Sequence, residues 1–192
     1  LTISGNLLKN HGFENDDYWA VLQNASTGIC NYSTEQSSKG YRSVVMELSE
    51  NAGVYEVGQD FSAVAGEEYT VSLDVYIPEK LNVSNDNGVL FGFVYCLDGV
   101  WHTESGKWLT STSGWERFSH TISIPDGTLT ACRVFIELAR AKGKVYFDSI
   151  QVEKSAGARY YNLVENSDFS NTPAVTNGGN ASGATAYSWT TD

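Results

Sequence analysis

Tyr69-Thr70-Val71-Ser72-Leu73-Asp74-Val75-Tyr76-Ile77 is the stretch from which the fold is read. Successive side chains of a strand point to opposite faces, so Tyr69, Val71, Leu73, Val75 and Ile77 share one side and Thr70, Ser72, Asp74 and Tyr76 the other. On a helix the same apolar set would be scattered around the axis. A one-residue slip in pairing would send every apolar side chain to solvent, so the pattern specifies register as well as element type. Pro78 closes the run because it has no amide hydrogen to give to a ladder. Residues 132–138 repeat the pattern, with Val134, Ile136 and Leu138 opposite Arg133, Phe135 and Glu137. Further runs rich in β-branched and aromatic residues occupy 53–61, 89–97, 115–124 and 144–152. They are separated by Ala65-Gly66-Glu67, Asp86-Asn87-Gly88, Pro125-Asp126-Gly127 and Lys142-Gly143-Lys144, which are turn chemistry. The only helix-like stretch, 138–141, is too short to form one. About ten short strands with such turns predict an all-β chain: a two-sheet antiparallel sandwich or jelly roll over 6–153, with Val71, Leu73, Val75, Val134, Ile136 and Leu138 inside.

Composition narrows the partners. The chain has 192 residues, one domain plus a remainder by ordinary domain sizes. Twelve basic residues against 23 acidic ones leave a net charge of −11, the opposite of a phosphate-tracking surface, so no nucleic acid partner is expected. Charged residues are only 18% and aromatics reach 12%, the reverse of a disordered chain. No apolar run is long enough to cross a bilayer, and no membrane association is expected. The chain opens at Leu1 without a signal-peptide pattern and reads as a piece of something larger. Cys30, Cys96 and Cys132 show no CxxC spacing; one disulfide stays open, and three buried thiols are the expectation. Asn24, Asn31, Asn82 and Asn180 each open an Asn-x-Ser triplet, which an Asn- and Ser-rich composition explains.

A repeat organises the chain. Asn6-Leu-Leu-Lys-Asn-His-Gly-Phe-Glu-Asn15 is echoed by Asn162-Leu-Val-Glu-Asn-Ser-Asp-Phe-Ser-Asn171, with Asn, Leu, Asn, Phe and Asn coinciding. Tyr18 and Trp19 follow the first copy, Tyr187 and Trp189 the second. The separation is too long for a solenoid and matches one domain. Residues 1–159 therefore read as one module and 160–192 as the opening of the next. The alternative is a C-terminal tail with accidental similarity.

Asn6-Leu7-Leu8, Gly12-Phe13-Glu14 and Trp19, then Gly66-Glu-Glu-Tyr69-Thr-Val-Ser72, Trp115 at the head of a strand, and Val145-Tyr-Phe-Asp148-Ser-Ile-Gln-Val152 occur in an order and spacing that resembles the β-sandwich carbohydrate-binding modules attached to xylanases and cellulases, families 4, 9, 16 and 22. The resemblance covers about 6–153. It implies a galactose-binding-like jelly roll with a concave face that cradles a glycan. It also implies a structural calcium ion, with carboxylates at the positions of Glu14 and Asp148 and backbone carbonyls from the Ser38-Lys39-Gly40 turn, Lys39 among them. Calcium takes six to eight such oxygens. The second copy has Ser170 in place of Glu14, so a metal built this way would be weaker or absent there. Tandem copies also resemble the large repeat-bearing surface proteins of Gram-positive bacteria.

Sugar recognition needs flat apolar faces for pyranose C–H groups and planar polar groups for hydroxyls. Asp74, Tyr76, Arg133, Phe135 and Glu137, all on the sides of their strands facing away from the apolar stripe, supply that mixture. Trp101, after the Asp98-Gly99 turn, and Trp108, after Gly106, are candidates for the rim of the cleft. The bland account of the polar residues is an Arg133–Glu137 or Arg133–Asp74 surface pair. No GxSxG elbow, HExxH helix or P-loop is present, and His11, His102 and His120 are scattered. A polysaccharide lyase using Tyr76 as base and Arg133 to neutralise a uronate is a lesser option. These readings converge on a non-catalytic module that targets a secreted or cell-surface protein to a polysaccharide, a neutral one given the −11 charge, beside neighbouring modules of the same chain. The alternative is a structural or adhesive spacer repeat that binds no glycan.

Overall fold

A computed structural model describes residues 5–154; the second repeat copy and the expectation for 160–192 lie outside the described residues. Among the described residues every regular element is a strand: β1 (Ala20–Gln23), β2 (Ile29–Ser33), β3 (Ser43–Leu48), β4 (Val54–Asp60), β5 (Glu68–Tyr76), β6 (Asn82–Leu97), β7 (Val100–Ser105), β8 (Glu116–Ser123) and β9 (Leu129–Glu153). All pairings are antiparallel. One sheet has the order β1-β4-β9-β6-β7 and the other β2-β3-β9-β5-β8. β9 belongs to both. Its residues 129–142 pair with β4 and β6, and 143–153 pair with β3 and β5. The corner between the two halves carries Arg140 (φ 44°) and Gly143 (φ 139°). Strands that pass from one sheet to another bend at such positions.

The alternation places the core as the apolar stripes require. Val71, Leu73 and Val75 of β5 and Val134, Ile136 and Leu138 of β9 are wholly buried in one cluster with Met46, Phe91, Phe93 and Phe147. Each such side chain contributes roughly 1.5–3 kcal/mol relative to exposure. The polar side of β5 departs from a simple solvent face, because Thr70 and Ser72 are buried as well. They are satisfied there: the Thr70 and Thr121 hydroxyls are 2.7 Å apart, and Ser72 Oγ accepts from Arg117 Nη2.

The opening segment is latched to the end of β9. Leu7 N–H donates to Val152 O, and Ile150 N–H donates to His11 O. Asn6 spans the join: its Nδ2 donates to Ile150 O, while its Oδ1 accepts from Leu8 N–H and Val152 N–H. Phe13 is fully buried against Trp19 and Tyr32. The first and last parts of the described chain therefore lie side by side. All three cysteines are free thiols, and burial pushes Cys30 up to about 11 and Cys132 up to about 12. Among the described residues no helix is long and apolar enough to cross a membrane.

Candidate functional site

Ladder register sorts the residues expected to meet a glycan onto two separate outer faces. β5 pairs with the second half of β9, Asp74 opposite Asp148 and Tyr76 opposite Tyr146. Arg133, Phe135 and Glu137 lie in the first half of β9, opposite Asp60, Gly58 and Glu56 of β4. The single face carrying all five residues is therefore corrected. Alternation within a strand says which side chains point outward, but not which sheet the strand joins. Asp74 is occupied structurally: its Oδ1 accepts from Arg117 Nη1 at 2.9 Å and its Oδ2 from the Ser38 hydroxyl at 2.6 Å. Tyr76 packs between Tyr146 and Trp115. The Arg133–Asp74 pair does not form, and the Tyr76–Arg133 arrangement of a lyase is ruled out by the same separation.

Of the remaining five, Arg133, Phe135, Glu137 and Trp101 share the outer face of the first sheet. In one row Glu137 lies between Glu56 and Leu90; in the next Phe135 lies between Gly58 and Gly92; in the third Arg133 lies between Asp60 and Val94. Trp101 stands opposite Cys96 at the β7 edge and is 65% exposed. The Val89–Leu109 bridge brings the segment after β7, with the half-buried Trp108, alongside β6. Phe135, expected as a stacking platform, is only 3% exposed and serves as floor. Its flanking glycines explain this. The space a side chain would need at 58 is filled by Leu22 Cδ1, and at 92 by the backbone of Glu104, so both edges close in beside the ring.

The charges on this face are specific. Arg133 donates through Nε and Nη2 to the two carboxylate oxygens of Asp60, at 2.5 and 3.2 Å. Both partners are substantially exposed, so the pair stabilises the fold by only about 0–1 kcal/mol. Glu137 and Glu56 are directly opposed carboxylates, an unfavourable ladder pair. Gln23 Nε2 donates to Glu56 Oε2 at 2.7 Å and holds that side chain. Burial first, and the Glu56 charge second, push Glu137 up to about 7 against the opposing pull of Arg140. Sequence reasoning missed Glu56, Asp60 and Gln23, which only the β1-β4-β9 pairing brings to this face.

Glu14 and Asp148, the carboxylates the family resemblance assigns to calcium, converge on one turn. Glu14 Oε1 accepts from Tyr41 N–H at 2.9 Å and Arg42 N–H at 3.3 Å. Asp148 Oδ2 accepts from Ser38 N–H at 2.7 Å and Lys39 N–H at 3.0 Å, and its Oδ1 from Ser149 N–H at 2.6 Å. Lys39 thus meets Asp148 through its amide, not its carbonyl. Asp148 is fully buried, and no ion pair among the described residues neutralises it. Burial pushes its carboxyl up to about 6 despite those amide donors. Both carboxylates are thus met by backbone N–H donors, and among the described residues no cluster of three or more metal-ligating side chains forms.

No family model matches the sequence, and no curated protein matches it. Solved structures do. The family 22 carbohydrate-binding module of Clostridium thermocellum Xyn10B matches with TM-score 0.58 and 16% identity, over 78% of this chain and 93% of that one. The chain shares the β-sandwich fold of that module. A family 61 module solved with β-1,4-galactotriose has the same module fold at TM-score 0.53 and 21% identity, covering 79% of this chain and all of that one. Bacteriophage CBA120 tailspike protein 4 contains it too, at TM-score 0.60 and 11% identity, with 78% of this chain spanning 21% of that chain. At such identities the likeness establishes architecture.

Proposed function

We propose that the chain is a non-catalytic carbohydrate-binding module that holds a secreted or cell-surface protein on a polysaccharide through the outer face of the β1-β4-β9-β6-β7 sheet. The observation that carries this is the Glu137–Glu56 pair: opposed, half-buried carboxylates that cost stability, on the face that bears the Arg133–Asp60 pair and the exposed Trp101. A fold has no use for such a cost; a ligand with many hydroxyls does, because carboxylates accept and guanidinium groups donate to vicinal oxygens. Trp101 and Trp108 offer apolar surface for pyranose rings, about 1 kcal/mol for each one stacked. The −11 charge favours a chain that is neutral along most of its length. Bound to the polymer, the module raises the local concentration of whatever is attached to it. Fold likeness to modules described as xylan-binding supports the same reading. A structural calcium held by Glu14, Asp148 and carbonyls of the Ser38-Lys39-Gly40 turn belongs to this proposal; bound there, it would tie the opening segment to β9.

Affinity electrophoresis through gels containing xylan, β-glucan, galactan or mannan tests the proposal. Retardation by at least one polymer, relieved by Trp101→Ala and by Arg133→Ala, is the expected result. Migration unaffected by every polymer, or retardation that survives both substitutions, removes this face as the site.

A further inference from the structure

At the corner where the opening segment meets β4 lies a groove of about 460 Å³, lined in part by Lys9, Tyr18, Asp60, Phe61, Ser62 and Arg133. Its construction is costly. Tyr18 is 56% exposed and holds a left-handed backbone (φ 73°), as do Asn10 (φ 47°) and Phe13 (φ 58°) in the same loop. Asn tolerates this region, but the bulky Phe13 and Tyr18 are strained in it, and such outliers gather at ligand sites. Asn10 holds the loop in shape: its Nδ2 donates to Asn15 O and Asp17 O, its Oδ1 accepts from Asn15 N–H, and its carbonyl accepts from Trp19 Nε1. The product of this bracing is a tyrosine ring left in solvent beside an open groove.

The groove is also locally cationic in an acidic chain. Lys9 Nζ lies 5.4 Å from the Tyr18 ring centroid and, among the described residues, has no ion pair. Arg133 spends Nε and Nη2 on Asp60, and no hydrogen bond among the described residues engages its Nη1. Two cations therefore face the groove against one carboxylate, with two donors left over.

Resting on the glycan-binding proposal, we infer that this groove takes a single uronic-acid residue borne by an otherwise neutral glycan. Tyr18 and Phe61 meet its C–H face, Lys9 Nζ and Arg133 Nη1 donate to its carboxylate, and Asp60 and Ser62 accept from its hydroxyls. A densely charged polyanion is disfavoured, because the net charge of −11 repels it at long range, whereas an isolated carboxylate meets only the local field within a Debye length of about 8–10 Å.

The test uses NMR of the full chain titrated separately with methyl β-D-glucuronide, methyl β-D-glucoside and sodium acetate. The glucuronide should shift the Tyr18 ring and Arg133 Nε–H resonances and bind about tenfold more tightly than the glucoside, the scale of one charge-assisted contact. Lys9→Gln should reduce that preference to threefold or less, as should added salt. Equal response to glucuronide and glucoside, an equal response to acetate, or shifts that bypass Tyr18 overturn the inference. Monosaccharides interrogate this corner alone, so a negative result here leaves polysaccharide binding by the wider face standing; loss of polymer retardation in gels is the separate failure of that proposal.

Discussion

Glu137→Gln separates the cost of the binding face from the stability of the fold. Glu137 holds its proton up to about pH 7 in the folded protein, from an ordinary value of 4.5, because burial and the Glu56 charge both oppose ionisation. Its folded pKa is raised, so the native state binds more protons than the unfolded chain between those two values. The stability it allows is fully present below about pH 4.5 and is lost as pH rises through the window to about 7. Each pKa unit corresponds to about 1.4 kcal/mol, and discounting for the part of the side chain that reaches solvent leaves a cost on the order of 1–2 kcal/mol above pH 7. Glutamine has the shape of the protonated acid and never pays the charge term. The variant should therefore melt about 2–8 °C higher than wild type at pH 8, using the 2–4 °C per kcal/mol of a domain this size, and within about 1 °C of it at pH 4. Scanning calorimetry across pH 4–8 reads this directly. Glycan retardation by the stabilised variant should fall, since the ionised carboxylate is what accepts sugar hydroxyls. A variant no more stable at pH 8 than at pH 4, relative to wild type, would show that the opposed carboxylates carry no strain and would remove the main support for this face.

Other outcomes follow from the same geometry. Asn6→Ala deletes two hydrogen bonds from the opening segment to β9 and one within that segment and should cost about 2–4 kcal/mol in urea unfolding, at about 1 kcal/mol per bond plus the groups left unpaired; a loss below about 0.5 kcal/mol would mean the latch is slack. Trp101→Ala should weaken polysaccharide retardation while leaving the melting temperature nearly unchanged, as befits an exposed side chain. Tyr76→Ala should do the reverse, losing packing on Tyr146 and Trp115 worth about 0.5–1.5 kcal/mol per ring pair beyond area, with glycan affinity intact. Chelation should lower the melting temperature if calcium sits at Glu14 and Asp148, by an amount equivalent to about 2.7 kcal/mol at a hundredfold excess over Kd, and Glu14→Ala should abolish that sensitivity; identical curves with and without chelator count against the metal.

The alternation in 69–77 and 132–138 was enough to determine strand type, inward residues and the two-layer architecture, because side-chain direction in a strand is a local property with period two. Glu14 and Asp148 both hydrogen-bond to the 38–42 turn, and the Asn6 latch holds the opening segment against the end of β9. What the sequence by itself left open was partnership. Arg133 and Asp74 both point away from the core, yet one pairs with Asp60 and the other with Arg117, on different sheets. That outcome depends on β9 turning its corner at Arg140 and Gly143 and offering its first half to β4 and its second to β5. Likewise nothing local in Glu56, Gln23 or Tyr18 marks them as neighbours of Arg133 and Glu137. A residue's outward direction is written in its own strand; the face it belongs to is decided by long-range pairing, where hydrogen-bond register between segments distant in sequence is chosen by the closure of the whole core.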